Sequence, residues 1–245
     1  MTTKSDRFEW LVPHSVDDAR VLIIGCGAIG SYLGVILAKM GVRRFTLFDH
    51  DKVELANVGV QNFDNLSLEK SKATELAAKI TLIEPDAKIE VFKGKFKGKD
   101  KRELKALSKA DIIIPSVDNL PTRRKVWKLV KHMHNNKRFR HSRLYIDPRM
   151  GAESFEIWAT ELGRGKTIMS KKDYEISLKG NIPDAPCGMK ATPYTAPPLA
   201  GKIAVVINDW LKGDPFPTFT VESLRHRTSI HNMVVKPDEI IDSDL

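Results

Sequence analysis

The run GCGAIG at residues 25–30 sets Gly25, Gly27 and Gly30 in the pattern GxGxxG, the grouping in this chain whose chemistry reads most directly. The first glycine permits a tight turn, the second lets a phosphate approach the backbone, and the third allows the next helix to pack on the preceding strand. Ala28 and Ile29 open that helix, whose N-terminus favours anionic charge. Asp49 comes 19 residues after Gly30, where a carboxylate accepts hydrogen bonds from a ribose hydroxyl. These residues predict an adenosine site and leave its reaction open. Asp118 and Asn119 come after an apolar run, which puts them either in a plain turn or at a strand end of the kind where doubly wound folds bind ligands. The two cysteines, Cys26 and Cys187, are far apart and form no CxxC pair, so neither a disulfide framework nor a structural zinc site is expected, and a reducing cytoplasm fits. Cys26, inside the glycine turn, reads as structural. Cys187, in the run PCG, reads as a small loop residue whose thiolate Lys190 would favour.

For these groups to meet, strands must end at Gly25, Asp49, Ser116 and Asp147. Residues 20–24 form a β-branched run, and Ile29, Leu33, Ile36, Leu37 and Met40 come next at helical spacing, closed by Gly41. Strands are further predicted at 45–48, 88–92, 110–115 and 144–147, with helices at 68–83 and 121–134 between them. Strands that alternate with helices imply a parallel sheet. Residues 154–160 alternate like an antiparallel strand, 180–198 are rich in Pro, Gly and Thr and read as a long loop, and 199–211 read as a helix closed by Gly213. The fold class expected is α/β, a Rossmann-like doubly wound and mostly parallel sheet with additional antiparallel strands in the C-terminal half.

The residues after Asp49 narrow the chemistry. The run DHDKVELANVGVQNF, with GCGAIG before it, Lys72 after it and SVDNLPTRR at 116–124, resembles the ThiF/MoeB/HesA family of ubiquitin-activating-enzyme-like adenylyltransferases. Four motifs in order make the resemblance specific over the first half, and it extends over roughly residues 7–211. It implies ATP as the nucleotide, with Asp49 on its ribose, Asp51 among the residues that bind it, Asn57, Gln61 and Lys72 near the phosphates, and Asp118, beside Asn119, on a bridging Mg2+. Arg7, in DRFEWL, matches less closely the family's N-terminal arginine that reaches the phosphates across a dimer. The resemblance thus implies a homodimer and a single domain over residues 1–236, with a nucleotide-binding half at 20–150, an acceptor-binding half at 151–236 and an acidic tail at 237–245.

The expected activity is adenylation of a carboxylate, foremost the C-terminal glycine of a small ubiquitin-like or sulfur-carrier protein, followed by thioester formation where Cys187 is the nucleophile. A small-molecule, peptide or tRNA-borne carboxylate is the alternative acceptor. Of another class are an NAD-linked oxidoreductase, which leaves Lys72 and Asp118 unexplained, and a non-catalytic nucleotide-binding scaffold. The last arises because Val60 stands where many relatives carry a phosphate-contacting arginine. Arg149, in DPRMGAE, is the expected substitute, its alternative being an ion pair with Glu153. Of Arg123 and Arg124, one is expected to pack or pair near the site and the other to face solvent. The net charge of +9, concentrated at 93–102 and 131–143, suits acidic proteins or RNA, or makes a solvated basic face. No stretch reaches the length of a membrane span and residues 1–6 lack an apolar signal core, so a soluble protein is expected.

Overall fold

The computed structural model describes residues 10–136, 141–163, 171–179 and 192–233. Arg7, Cys187 and Lys190 lie outside them. The alternating pattern resolves into strands β1 (Arg20–Ile24), β2 (Arg44–Phe48), β3 (Lys88–Phe92), β4 (Ile112–Pro115), β5 (Arg143–Met150), β6 (Ser154–Leu162), β7 (Pro217–Ser223) and β8 (Thr228–Met233). Helices are α1 (Ala28–Met40), α2 (Leu55–Val58), α3 (Lys72–Ile83), α4 (Lys101–Lys109), α5 (Leu120–Asn135), α6 (Lys171–Ser177) and α7 (Ala196–Lys212).

All eight strands join one sheet in the order β3-β2-β1-β4-β5-β6-β7-β8. The first five pair in parallel and β5 to β8 pair antiparallel. The chain moves outward from β1 through β2 to β3, then crosses back to β4. The C-terminal ends of β1 and β4 therefore flank the switch point where open α/β sheets bind ligands.

Alternation along the strands feeds two cores. Val21 and Ile23 of β1, with Phe45, Leu47, Ile112 and Ile114, face Leu33 and Leu37 of α1, Leu76 of α3 and Ile203 of α7. Leu22, Ile24, Phe48, Ile113 and Tyr145 face the opposite layer, with Leu107 of α4, Val126 and Trp127 of α5 and Tyr174 of α6. A sheet covered on both faces explains why β1 and β4 read as unbroken apolar runs.

Three boundaries differ from the sequence reading. The strand expected at 144–147 runs on to Met150, because residues 147–150 continue the antiparallel pairing with β6. The helix expected from 68 begins at Lys72, because Glu69 adopts φ 62° and residues 65–67 form a 3-10 turn held by the Asp64 carboxylate on the Ser67 N–H. The loop expected to end at 198 gives way to α7 at Ala196, since Pro197 and Pro198 occupy the first turn, where a missing N–H breaks no intrahelical bond. Helices α2, α4 and α6 and strands β7 and β8 add to the elements expected from the sequence. β8 is an edge whose residues 228–232 are all exposed, so it carries no buried apolar alternation to detect.

Candidate functional site: a crevice at the β1/β4 switch point

The glycine turn is built by close backbone approach. Gly25, at φ 103°, would place a Cβ 2.7 Å from the Ser116 carbonyl oxygen, and a Cβ on Gly30 would fall 2.1 Å from the Gly25 carbonyl oxygen. Neither position admits a side chain, and Gly25 also needs the left-handed region. Gly27 is different: the nearest atom to an added Cβ is the Gln61 Nε2, at 3.9 Å, so space lies open above it.

Asp49 comes directly after β2 and holds this turn. Its Oδ2 accepts the Cys26 N–H at 2.7 Å and its Oδ1 accepts the Asp51 N–H at 2.8 Å. Both oxygens thus brace the backbone while retaining further lone pairs. Cys26 is fully buried, and burial, then the charge of Asp49, raise its thiol well above its ordinary range, which fits an inert structural residue.

Lys72 begins α3. Its N–H donates to the Asp51 carbonyl oxygen at 3.0 Å, and its ammonium donates to the Asp51 carboxylate at 3.3 Å. The residue is only 7% exposed, so a flexible point charge is confined beside the glycine turn. Its charge is close enough to act on the Cys26 thiol.

Asn57 and Gln61 sit on the segment that crosses above α1. Asn57 closes a capping box, its Oδ1 accepting the Glu54 N–H at 2.9 Å. Ser31, in the first turn of α1, accepts the Asn62 N–H at 2.9 Å and is wholly buried, so it ties this segment down. The Gln61 Oε1 is buried with no hydrogen-bond partner among the described residues. An orphaned acceptor beside an open glycine costs free energy unless a ligand or water satisfies it.

Asp118 lies past the end of β4, two residues beyond the Ser116 carbonyl that touches Gly25. It is exposed, and the only described hydrogen bond to its carboxylate comes from the Asn119 amide at 3.4 Å. Asn119 caps α5 by accepting the Thr122 N–H at 3.0 Å. The loop that presents Asp118 is clamped from below by Arg123, which donates to the Pro115 carbonyl at 2.8 Å, to the Val117 carbonyl and to the Asp147 carboxylate. Arg123 is buried and Arg124 exposed, so the two arginines divide as expected. Burial, then the charge of Arg149, lower the Arg123 guanidinium to about 10, which leaves it charged at neutral pH.

Asp147, which the sequence placed only at a strand end, is fully buried and is the hub of a network the sequence did not reveal. Besides Arg123 it accepts from Arg149 Nη2 at 2.9 Å and from the Tyr174 hydroxyl at 2.8 Å. Arg149 also reaches Ser177 Oγ at 3.1 Å and lies 3.7 Å from Glu156. The ion-pair alternative named Glu153, whereas the carboxylates beside Arg149 are Asp147 and Glu156. No local motif announces this network, because Arg123, Asp147 and Tyr174 are each more than twenty residues apart.

A cleft of about 260 Å³ opens next to Asp49, whose N–H bonds to the Phe92 carbonyl at 3.1 Å. Phe48 and Phe92, stacked at 4.0 Å, line it with Lys93, Lys95 and Arg102.

Residues 13–141 match the ThiF family. Over 118 residues the chain is 33% identical to ubiquitin-like modifier-activating enzyme 5 of Drosophila erecta, a match covering 44% of this chain and 29% of that protein. Over 110 residues it is 29% identical to the sulfur carrier protein ThiS adenylyltransferase of Escherichia coli K12, covering 44% of this chain and 43% of that protein. In both cases the match spans less than half of the relative's length. Among solved structures, E. coli MccB with succinimide superposes at TM-score 0.70 and 18% identity over 97% of this chain and 73% of that one. MccB with ATP superposes at 0.66 and 18% identity over 93% and 68%. At such identities the likeness establishes the Rossmann-type fold alone.

Proposed function

From the premise that this chain belongs to the ThiF family, we propose that it is an ATP-dependent adenylyltransferase whose acceptor is the C-terminal carboxylate of a small ubiquitin-like or sulfur-carrier protein. What supports the reading is that an open Gly27 with the unsatisfied Gln61 Oε1 near it, the confined Lys72 ammonium and the exposed Asp118 carboxylate all come from segments that adjoin the glycine turn. An oxidoreductase would share the glycine turn but gives no reason for Lys72 or Asp118.

Adenylation brings an anionic carboxylate to the α-phosphorus of ATP, forms a P–O bond there and breaks the bond to pyrophosphate. Like-charge repulsion is the main obstacle, since an acceptor carboxylate of pKa ~4 needs no general base at neutral pH. Lys72 offsets developing negative charge from a partly desolvated position, exchanging its contact with Asp51 for phosphate oxygens. Gln61 and the backbone at Gly27 and Ala28 orient the phosphates at the N-terminus of α1. Asp49 accepts from ribose while still bracing Cys26. Asp118, with lone pairs open to a cation and Asn119 beside it, would hold Mg2+; such an ion supplies charge neutralisation on the triphosphate. Arg7 in trans from a second copy, Arg149, and Cys187 as thioester nucleophile complete the proposal, in a cytoplasmic homodimer.

ATP–pyrophosphate exchange in the presence of small proteins ending in glycine tests the reading, with mass spectrometry for AMP on the acceptor and for a thioester on Cys187. Exchange that depends on such an acceptor is the expected result. ATP binding with no exchange for any carboxylate tried would instead favour the scaffold role that Val60 suggests.

A further inference from the structure

Between β3 and the end of α4 the chain places eight cationic side chains and two carboxylates within residues 93–109, a net +6 in a chain whose total is +9. Lys93, Lys95, Lys97 and Lys99 alternate along the approach to α4, and all four are exposed. Lys101, Lys105 and Lys109 recur every four residues and so share the outer face of α4. The face continues onto α5, because Gly98 lies against Leu129 and Lys125, and Lys128 is one turn further on.

The local carboxylates do not neutralise this surface. Glu103 is buried and accepts the Lys97, Lys99 and Asp100 N–H groups, while Asp100 caps α4 on the Arg102 N–H. Glu90 takes Arg102, and Glu175 takes Lys131. Among the described residues none of the seven lysines of the strip, nor Lys125 or Lys128, enters a salt bridge. A field of this size, uncompensated, attracts polyanions over about a Debye length, ~8 Å at physiological salt.

We propose that this face binds the phosphate backbone of a double-stranded nucleic acid. Protein interfaces are depleted in lysine and centred on apolar or aromatic anchors. None of the large exposed hydrophobics of the described chain falls in 93–109 or on α5. Phe96 is buried, and Phe92, at the cleft, is already stacked on Phe48 with the Arg102 guanidinium 5.0 Å from its ring centre, so among the described residues the face offers no free ring for unpaired bases. Lysine point charges without anchors suit a regular array of phosphates and carry no base readout. Adenylation plays no part in this binding.

Fluorescence anisotropy of the full chain with a short RNA duplex and a DNA duplex tests it, without ATP, over a salt series. Binding whose log–log salt slope is about −4.5, the value for some five phosphate contacts, is expected. Combining Lys101→Glu, Lys105→Glu and Lys109→Glu should weaken it at least ~100-fold and flatten the slope by about 3. The matching Gln variants guard against misfolding, and Lys39→Glu with Lys212→Glu, on the opposite layer, should leave binding within ~2-fold. Absence of binding to both duplexes at low salt overturns the proposal. So does indifference to the α4 variants, or tighter binding to polyglutamate or anionic vesicles than to either duplex.

Discussion

At the scale of single residues, Lys72 and Arg123 show how one charge type serves two tasks. Lys72 is a compact cation on a flexible stem, held near Asp51 by one long contact of 3.3 Å and so able to change partners. Lys72→Ala should lower acceptor-dependent pyrophosphate exchange by roughly 100-fold or more. The denaturation midpoint should hardly move, since a half-exposed Asp51 can be solvated. Arg123 is the opposite case, a planar donor fixed by three acceptors around a buried Asp147. Arg123→Met removes one of the two guanidinium groups on that carboxylate, and because Arg149 and Tyr174 still reach Asp147 the loss should stay below the about 3–5 kcal/mol of a buried pair broken outright, which urea denaturation would measure. The identities of these residues were legible from the motif runs, but which arginine is buried, and against what, depended on an aspartate 24 positions away.

At the scale of elements, three strands are stitched at their N-terminal ends by Asp111. Its carboxylate accepts the Arg20 N–H at 3.0 Å, the Arg20 guanidinium at 2.8 and 2.9 Å, and the Arg143 guanidinium, which joins β1, β4 and β5 at the end opposite the crevice. Burial pushes the Asp111 pKa up, yet the hydrogen bonds from Arg20 and the charge of Arg143 outweigh it and hold the pKa below the usual carboxylate range. A depressed aspartate contributes stability above its unfolded pKa of ~3.9 and loses it as pH falls through the folded value. Asp111→Asn should therefore destabilise the fold by about 2 kcal/mol at neutral pH. The gap to the parent chain should close below pH ~4, as denaturation across a pH series would record. Strands and helices of this half were readable from apolar period and glycine placement, whereas the helix start at Lys72 depended on a left-handed Glu69 that no propensity signals.

At the scale of the whole molecule, one sheet and one core cluster cross the expected halves. Ile23, Ile114, Ile157 and Ile203 belong to the same buried cluster, and α7 packs on α1 from the far end of the sequence. We expect calorimetry to show a single transition, and Ile203→Ala to lower it by about 2–5 kcal/mol rather than split it. Two transitions in the parent chain would mean that the halves unfold separately.

What is local could be read from the residues alone: the strand–glycine–helix turn, the alternation that buries both faces of the sheet, the carboxylate after β2 and the excess of lysine after β3. These features come from steric limits at glycine and from side-chain period, which act within a few residues. The folded chain was needed to show that Gln61 lies over Gly27, that Asp147 anchors the loop of Asp118, and that Glu103 turns inward and leaves the lysines of α4 without a salt bridge among the described residues. Those pairings join groups distant in sequence or depend on which way a side chain faces, and they exist once the crossover from β3 back to β4 sets the strand ends side by side.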